Sequence, residues 1–125
     1  MSKIERFEDL KCWQAARELV KEVYTMSDEG KLAGDFDTKS QLKKAALSTM
    51  NNIAEGFGRY SRKDFIRFLD TAQSSALEVQ SMLYVLSDLH YLEAGSIDIL
   101  RMKVGDTKNM TLGLIRYLRE SENKR

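Results

Sequence analysis

Apolar side chains return at intervals of three and four along nearly the whole chain, and no proline interrupts them. That spacing is the period of an amphipathic α-helix, and proline would break a helix interior by removing a hydrogen bond and clashing with the preceding turn. The pattern therefore predicts helix almost everywhere. Over roughly 8–27, Cys12, Ala16, Leu19, Val23 and Met26 make one stripe, with Trp13 on its shoulder and charged residues opposite. Asp28 to Asp37, with Gly30 and Gly34, reads as a loop. A second helix is expected over 38–56, capped by Asp37 or Thr38. Leu42, Ala46, Thr49 and Ile53 face inward, and small neighbours allow a close helix approach. Gly56 and Gly58 suit its stop, where a left-handed residue is usual.

Ser61 with Asp64 has the form of a capping box for a third helix over 62–90, whose stripe includes Phe65, Phe68, Leu69, Ala72, Val79 and Leu86. Ser96 is the expected cap of a fourth over 97–119, with Ile97, Leu100, Val104, Thr107, Leu114 and Leu118 inside. Gly105 and Gly113 weaken it by about 1 kcal/mol each relative to alanine, and Gly113 is a candidate for close packing. Four long helices with short connections predict an all-α fold: an up-down-up-down antiparallel four-helix bundle forming one domain over 1–125.

Several kinds of chemistry lack their residues. A di-iron bundle needs Glu-x-x-His pairs, but the one histidine, His90, has Ser87 three places before it. His90 at a helix end is expected to help satisfy terminal carbonyls. Cys12 lies on an apolar stripe and reads as a buried structural thiol, and a lone cysteine makes no internal disulfide. Gly56-x-Gly58 follows no strand and precedes no Gly-Lys-Ser/Thr, so it is not a phosphate loop. No run of about eighteen apolar residues would span a membrane. The start, Met1 to Phe7, is charged and without an apolar core. The expectation is a cytoplasmic protein that is not an enzyme, with no catalytic residues, cofactor or metal.

The third helix is unusually free of charge. From Thr71 to Ser87 only Glu78 is charged, and the side opposite the apolar stripe holds residues such as Gln73, Ser74 and Ser81. Interface centres are depleted of charge, so Gln73, Ser74, Glu78 and Ser81 are candidates for a homo-oligomer interface. A chance run of small polar residues would look the same. Glu78 has no second carboxylate one turn away, and rather than a catalytic carboxylate it is expected to be a buried or interfacial residue held by hydrogen bonds or a basic partner.

Net charge is only +1, yet the charges segregate. An up-down bundle brings the termini and the 56–61 turn to one end. Arg59, Arg62, Lys63, Arg67, Arg116 and Arg119, with Lys3, Lys124 and Arg125, make that end basic. Asp28, Glu29, Asp35, Asp37, Asp88, Glu93 and Asp98 make the other acidic. Tyr60 and Phe57 lie among the arginines and are placed to stack on bases. Two readings stand: solvated charge at a bundle end, with the aromatics packing the turn, or a face for an anionic polymer such as RNA.

Phe7-Glu8-Asp9-Leu10-Lys11-Cys12-Trp13, Ser40-Gln41-Leu42-Lys43-Lys44-Ala45-Ala46, Asn52-Ile53-Ala54-Glu55-Gly56-Phe57-Gly58-Arg59 and Phe65-Ile66-Arg67-Phe68-Leu69 together resemble the four-helix-bundle family of 23S rRNA intervening-sequence proteins. The accessory variability proteins of diversity-generating retroelements belong to the same structural group. Glu78 falls where the family often has glutamate, and Thr49 stands where it usually has proline, so this helix is expected to be straighter. The resemblance implies a non-enzymatic bundle assembling as a ring-shaped pentamer. The retroelement relatives bind nucleic acid and a reverse transcriptase and are strongly basic, which this chain is not. The function expected from residues and resemblance is a homo-oligomeric protein contacting structured RNA or a ribonucleoprotein through its basic end. A protein-binding adaptor ring without a nucleic-acid role is the alternative.

Overall fold

A short 3₁₀ turn, Phe7–Asp9, leads into α1 (Lys11–Met26), and a second, Gly30–Gly34, leads into α2 (Phe36–Phe57). After them come α3 (Arg62–Asp88) and α4 (Ala94–Asn123). The structure is a computed structural model and describes residues 4–123. Lys3, Lys124 and Arg125, counted above in the basic end, lie outside the described residues.

Each helix packs on its two neighbours in chain order, and α4 closes the square against α1. Two core clusters stack along the axis and show the antiparallel course. One holds Leu10, Cys12, Ala16, Ile53, Ile66, Leu69, Ile115 and Leu118, from the start of α1, the end of α2, the start of α3 and the end of α4. The other holds Leu19, Val23, Leu32, Leu42, Leu83, Leu86, Ile97 and Leu100, from the opposite ends. The result is an all-α, up-down-up-down four-helix bundle. Burying each Leu or Ile contributes about 1.5–3 kcal/mol. The buried hydroxyls of Ser27, Thr49, Thr107 and Thr111 each donate to a carbonyl of their own helix. Burial without a partner would cost about 1–3 kcal/mol per group, so these threonines sit in the core at little penalty.

Several boundaries differ from the sequence expectation. Asp35, not Asp37 or Thr38, caps α2: its carboxylate accepts from the Thr38 N–H at 3.1 Å and the Thr38 hydroxyl at 2.8 Å. α4 begins at Ala94, ahead of Ser96, and the Glu93 carbonyl accepts its first amides. Ile66, Thr111 and Ile115 belong to the core, whereas Phe65, Phe68 and Leu114 are only half-buried. Ser61 does cap α3, accepting from the Asp64 N–H at 3.1 Å. The Asp64 carboxylate turns instead to Arg67, so the box is half made.

Neither Gly56 nor Gly58 is left-handed. Gly58 has φ −76°, and Gly56 lies within α2. The close approach falls at Gly56, where a methyl group would meet Phe68 Cβ at 2.7 Å. Nothing lies within 4 Å of such a methyl at Gly113, so it packs against no neighbour. The left-handed helix end is at His90 (φ 55°), after α3. Its N–H bonds the Ser87 carbonyl, and the Tyr91 N–H bonds the Leu86 carbonyl. The backbone thus closes the helix in a Schellman motif. α2 is unbroken through Thr49.

Candidate nucleic-acid interface

Helix α2 stops at Phe57, and four residues, Gly58 to Ser61, turn the chain into α3. Both sides of the turn are tied. The Arg59 N–H bonds the Gly56 carbonyl at 3.1 Å, and Ser61 caps the next helix. The aromatics divide. Phe57 turns inward, edge-on to Phe65 with ring centroids 6.0 Å apart. Tyr60 projects outward with a relative exposure of 109%, so no neighbour covers it. The Arg59 guanidinium lies 4.6 Å from the centre of the Phe68 ring, close enough for a cation–π contact that fixes its position beside the turn.

The six candidate cations gather at this end from the turn, the first turns of α3 and the last turns of α4. They are not equivalent. Arg67 pairs with Asp64 at 3.1 Å, and Arg119 lies 3.9 Å from Asp70. Arg62, Lys63 and Arg116 have no ion-pair partner among the described residues. Arg62 is half-buried; Lys63 and Arg116 are exposed. Asp70, which lies outside the charge pattern drawn from the sequence, reduces the excess of positive charge. Arg101 does the same at the acidic end, where it pairs with Asp98 at 3.2 Å.

That acidic end is organised around Asp35. Besides capping α2, its carboxylate accepts from the Tyr91 hydroxyl at 2.8 Å, joining the α3–α4 loop to the start of α2. The Thr38 backbone N–H, then the Tyr91 and Thr38 hydroxyls, hold the Asp35 carboxyl below its usual range. The same bond to Asp35 pushes the Tyr91 phenol up. Gly30, with φ 54°, passes so close to the Tyr91 carbonyl that a side chain there would collide with it.

The uncharged character of α3 has two sources. Part serves the bundle itself. Ser75 shares a hydrogen bond with Ser48 on α2 at 2.7 Å, and exposed Glu78 accepts from Gln41 at 3.3 Å. Toward α4, Gln73 donates to the Lys108 carbonyl at 3.0 Å, and Lys108 Nζ donates to Gln80 at 2.9 Å. Gln73 is thus engaged within its own chain. The rest faces solvent: Ser74 and Ser81 lie exposed with Leu77, Tyr84 and Val85. Those three apolar residues stand outside the stripe expected from the sequence. Their signal was position, since they fall off the core stripe of α3.

Burial pushes the Cys12 thiol up to about 11, and the Thr111 hydroxyl moderates the shift. Among the described residues, no three His, Cys, Asp or Glu side chains stand where they would hold a metal ion, and no helix is long and apolar enough to cross a membrane. Trp13, on the shoulder of the α1 stripe, is half-buried, edge-on to Phe7 at 5.2 Å with Arg17 over its face.

Residues 8–113 match the family described as 23S rRNA-intervening sequence protein. The chain belongs to that family. The match spans the first three helices and most of α4, including the Gly58–Ser61 turn with Arg59, Tyr60, Arg62, Lys63 and Arg67. It ends before Arg116 and Arg119. No curated protein matches the chain.

Proposed function

We propose that this family member is a non-catalytic, self-associating cytoplasmic protein that contacts structured RNA or a ribonucleoprotein through the basic end of its bundle. The observation that carries the reading is the convergence of Arg62, Lys63 and Arg116, without ion-pair partners among the described residues, beside an uncovered Tyr60. The family description, which refers to 23S rRNA, agrees with an RNA-linked role. Self-association through the outer face of α3 is supported by Leu77, Tyr84 and Val85 standing exposed beside Ser74 and Ser81. The resemblance to ring-forming bundles makes a pentamer the assembly we propose. A ring would present several basic ends together, which offsets the small net charge of one chain.

Electrophoretic mobility shift against structured RNA tests the reading. With about three phosphates neutralised per protomer, log K should fall with log salt at a slope of about −2 to −3. Arg62→Glu with Lys63→Glu should remove most of the binding. Salt-independent binding, or none lost on charge reversal, would overturn it. Light scattering that reports a monomer at micromolar concentration would overturn the assembly.

A second reading has its own observation. The α3 stripe suits an apolar protein partner as well as a second copy, which would make the chain a protein adaptor. A single polypeptide recovered in defined stoichiometry with RNA-free protein, and lost on Tyr84→Glu, would favour it.

A further inference from the structure

Among the described aromatic rings of the basic end, Tyr60 is the least covered, with Tyr117 on α4 at 45% relative exposure. Phe57 is engaged by Phe65, and the Phe68 ring by the Arg59 guanidinium. Tyr60 touches nothing that shields it, at 109% relative exposure. Its backbone is nevertheless held, because only four residues separate two helices and both flanks are hydrogen-bonded. A rigidly based ring on a short side chain has few rotamers to lose on binding, so little ordering cost opposes a stacking contact. Arg59, Arg62 and Lys63 lie within three positions of it in the chain, so cationic groups neighbour the ring where phosphates flanking a stacked base would fall.

From this geometry we infer that the basic end selects unpaired nucleotides over continuous duplex, with Tyr60 as a one-base stacking platform. The inference rests on the RNA-binding reading above. In a duplex the bases are stacked on one another and offer no open face away from the helix ends, so Tyr60 would find only backbone. In a loop, bulge or single strand, a base is available to cover the ring, and stacking is indifferent to which base it is. Arg62 and Lys63 act on either form, since they read charge.

Three probes separate the contributions by fluorescence anisotropy at low salt: an oligouridylate, a long RNA duplex matched in total phosphate so that its open ends are few, and polyglutamate as charge without rings. Tyr60→Leu keeps an apolar side chain on the exposed turn and removes the π-face. It should weaken oligouridylate binding by about tenfold or more and leave duplex and polyglutamate unchanged. Tyr60→Phe should restore the oligouridylate affinity, and Arg62→Glu with Lys63→Glu should weaken all three. If Tyr60→Leu leaves oligouridylate unchanged while charge reversal still weakens it, the platform is wrong and the anionic-polymer face stands. Equal losses on all three probes would also overturn it, showing a general effect on the turn. If the unaltered protein binds neither RNA, both the platform and the reading beneath it fail.

Discussion

Gly56→Ala isolates the contact that lets α2 and α3 approach most closely. A methyl on Gly56 would lie 2.7 Å from Phe68 Cβ, 3.0 Å from Phe65 Cδ1 and 3.3 Å from the Phe65 carbonyl oxygen. Real carbon–carbon contacts do not reach the first of these. Phe68 Cβ cannot rotate away, because it moves only with the α3 backbone. Relief requires the helices to part, or the α2 end to unwind, in the core cluster that holds Ile53, Ile66 and Leu69. Overpacking of this kind costs about 1–3 kcal/mol, and the tie to backbone argues for the upper half. Against it stands a helix-propensity gain of about 1 kcal/mol at most, reduced because Gly56 is the penultimate residue of α2. The net expectation is a loss of about 1–2 kcal/mol. Gly105 and Gly113 are the internal controls. Nothing lies within 4 Å of a methyl at either, so alanine there should stabilise by about 1 kcal/mol. Urea denaturation at fixed protein concentration measures all three, read as a shift of midpoint with unchanged slope. Opposite signs for Gly56→Ala and Gly113→Ala support the argument. If Gly56→Ala stabilises like the others, the close approach of α2 and α3 is refuted.

Other perturbations test the remaining features. His90→Gly should stabilise by about 1 kcal/mol by removing a side chain from a left-handed position, and a Tm that falls instead would deny that conformation. The depressed Asp35 carboxyl contributes stability that is present above its unfolded value and lost as pH falls through the folded one. Tyr91→Phe should therefore reduce the acid-side slope of stability, as followed by circular dichroism between neutral pH and about pH 3. The Tyr91 phenol, raised by Asp35, adds stability that is present below its unfolded value and lost as alkali titrates it. Cys12, raised to about 11, should resist iodoacetamide in the native protein at neutral pH and react promptly in urea. Prompt labelling without denaturant would show that the end of the bundle opens.

The helical period made the fold legible. Cys12, Ala16, Leu19, Val23 and Met26 were placed inside by spacing alone, and all five are buried. Helix caps were less legible, because several residues offer the same chemistry. Asp35, Asp37 and Thr38 all suit an N-cap, and the Tyr91 hydroxyl 56 positions away helps single out Asp35. Glycine was misread where local conformation and tertiary packing make the same demand for a small residue: Gly56 serves the neighbouring helix, not a left-handed stop. At the basic end, clustering of cations followed from topology, and Asp64 lies one turn before Arg67, but the partner of Arg119 was hidden. Asp70 lies on a different helix from Arg119, and no local spacing announces the pair. Phe57 and Tyr60 are three residues apart and looked alike in sequence; one turns to Phe65 and the other to solvent.

The hydrogen bonds that flank α3 have a consequence for where the cations stand. Apolar contact has no direction, so against a slip of one helix past another by a turn the leucine and alanine layers oppose only their shape. The Ser48–Ser75 and Gln41–Glu78 bonds on one side, and the Gln73 and Gln80 bonds to Lys108 on the other, would all break in such a slip. They work as notches that permit one axial setting of α3 against both neighbours. That setting fixes the height of Lys63 relative to Arg116, so the pattern of charge at the tip is ruled by polar side chains near the middle of the helices.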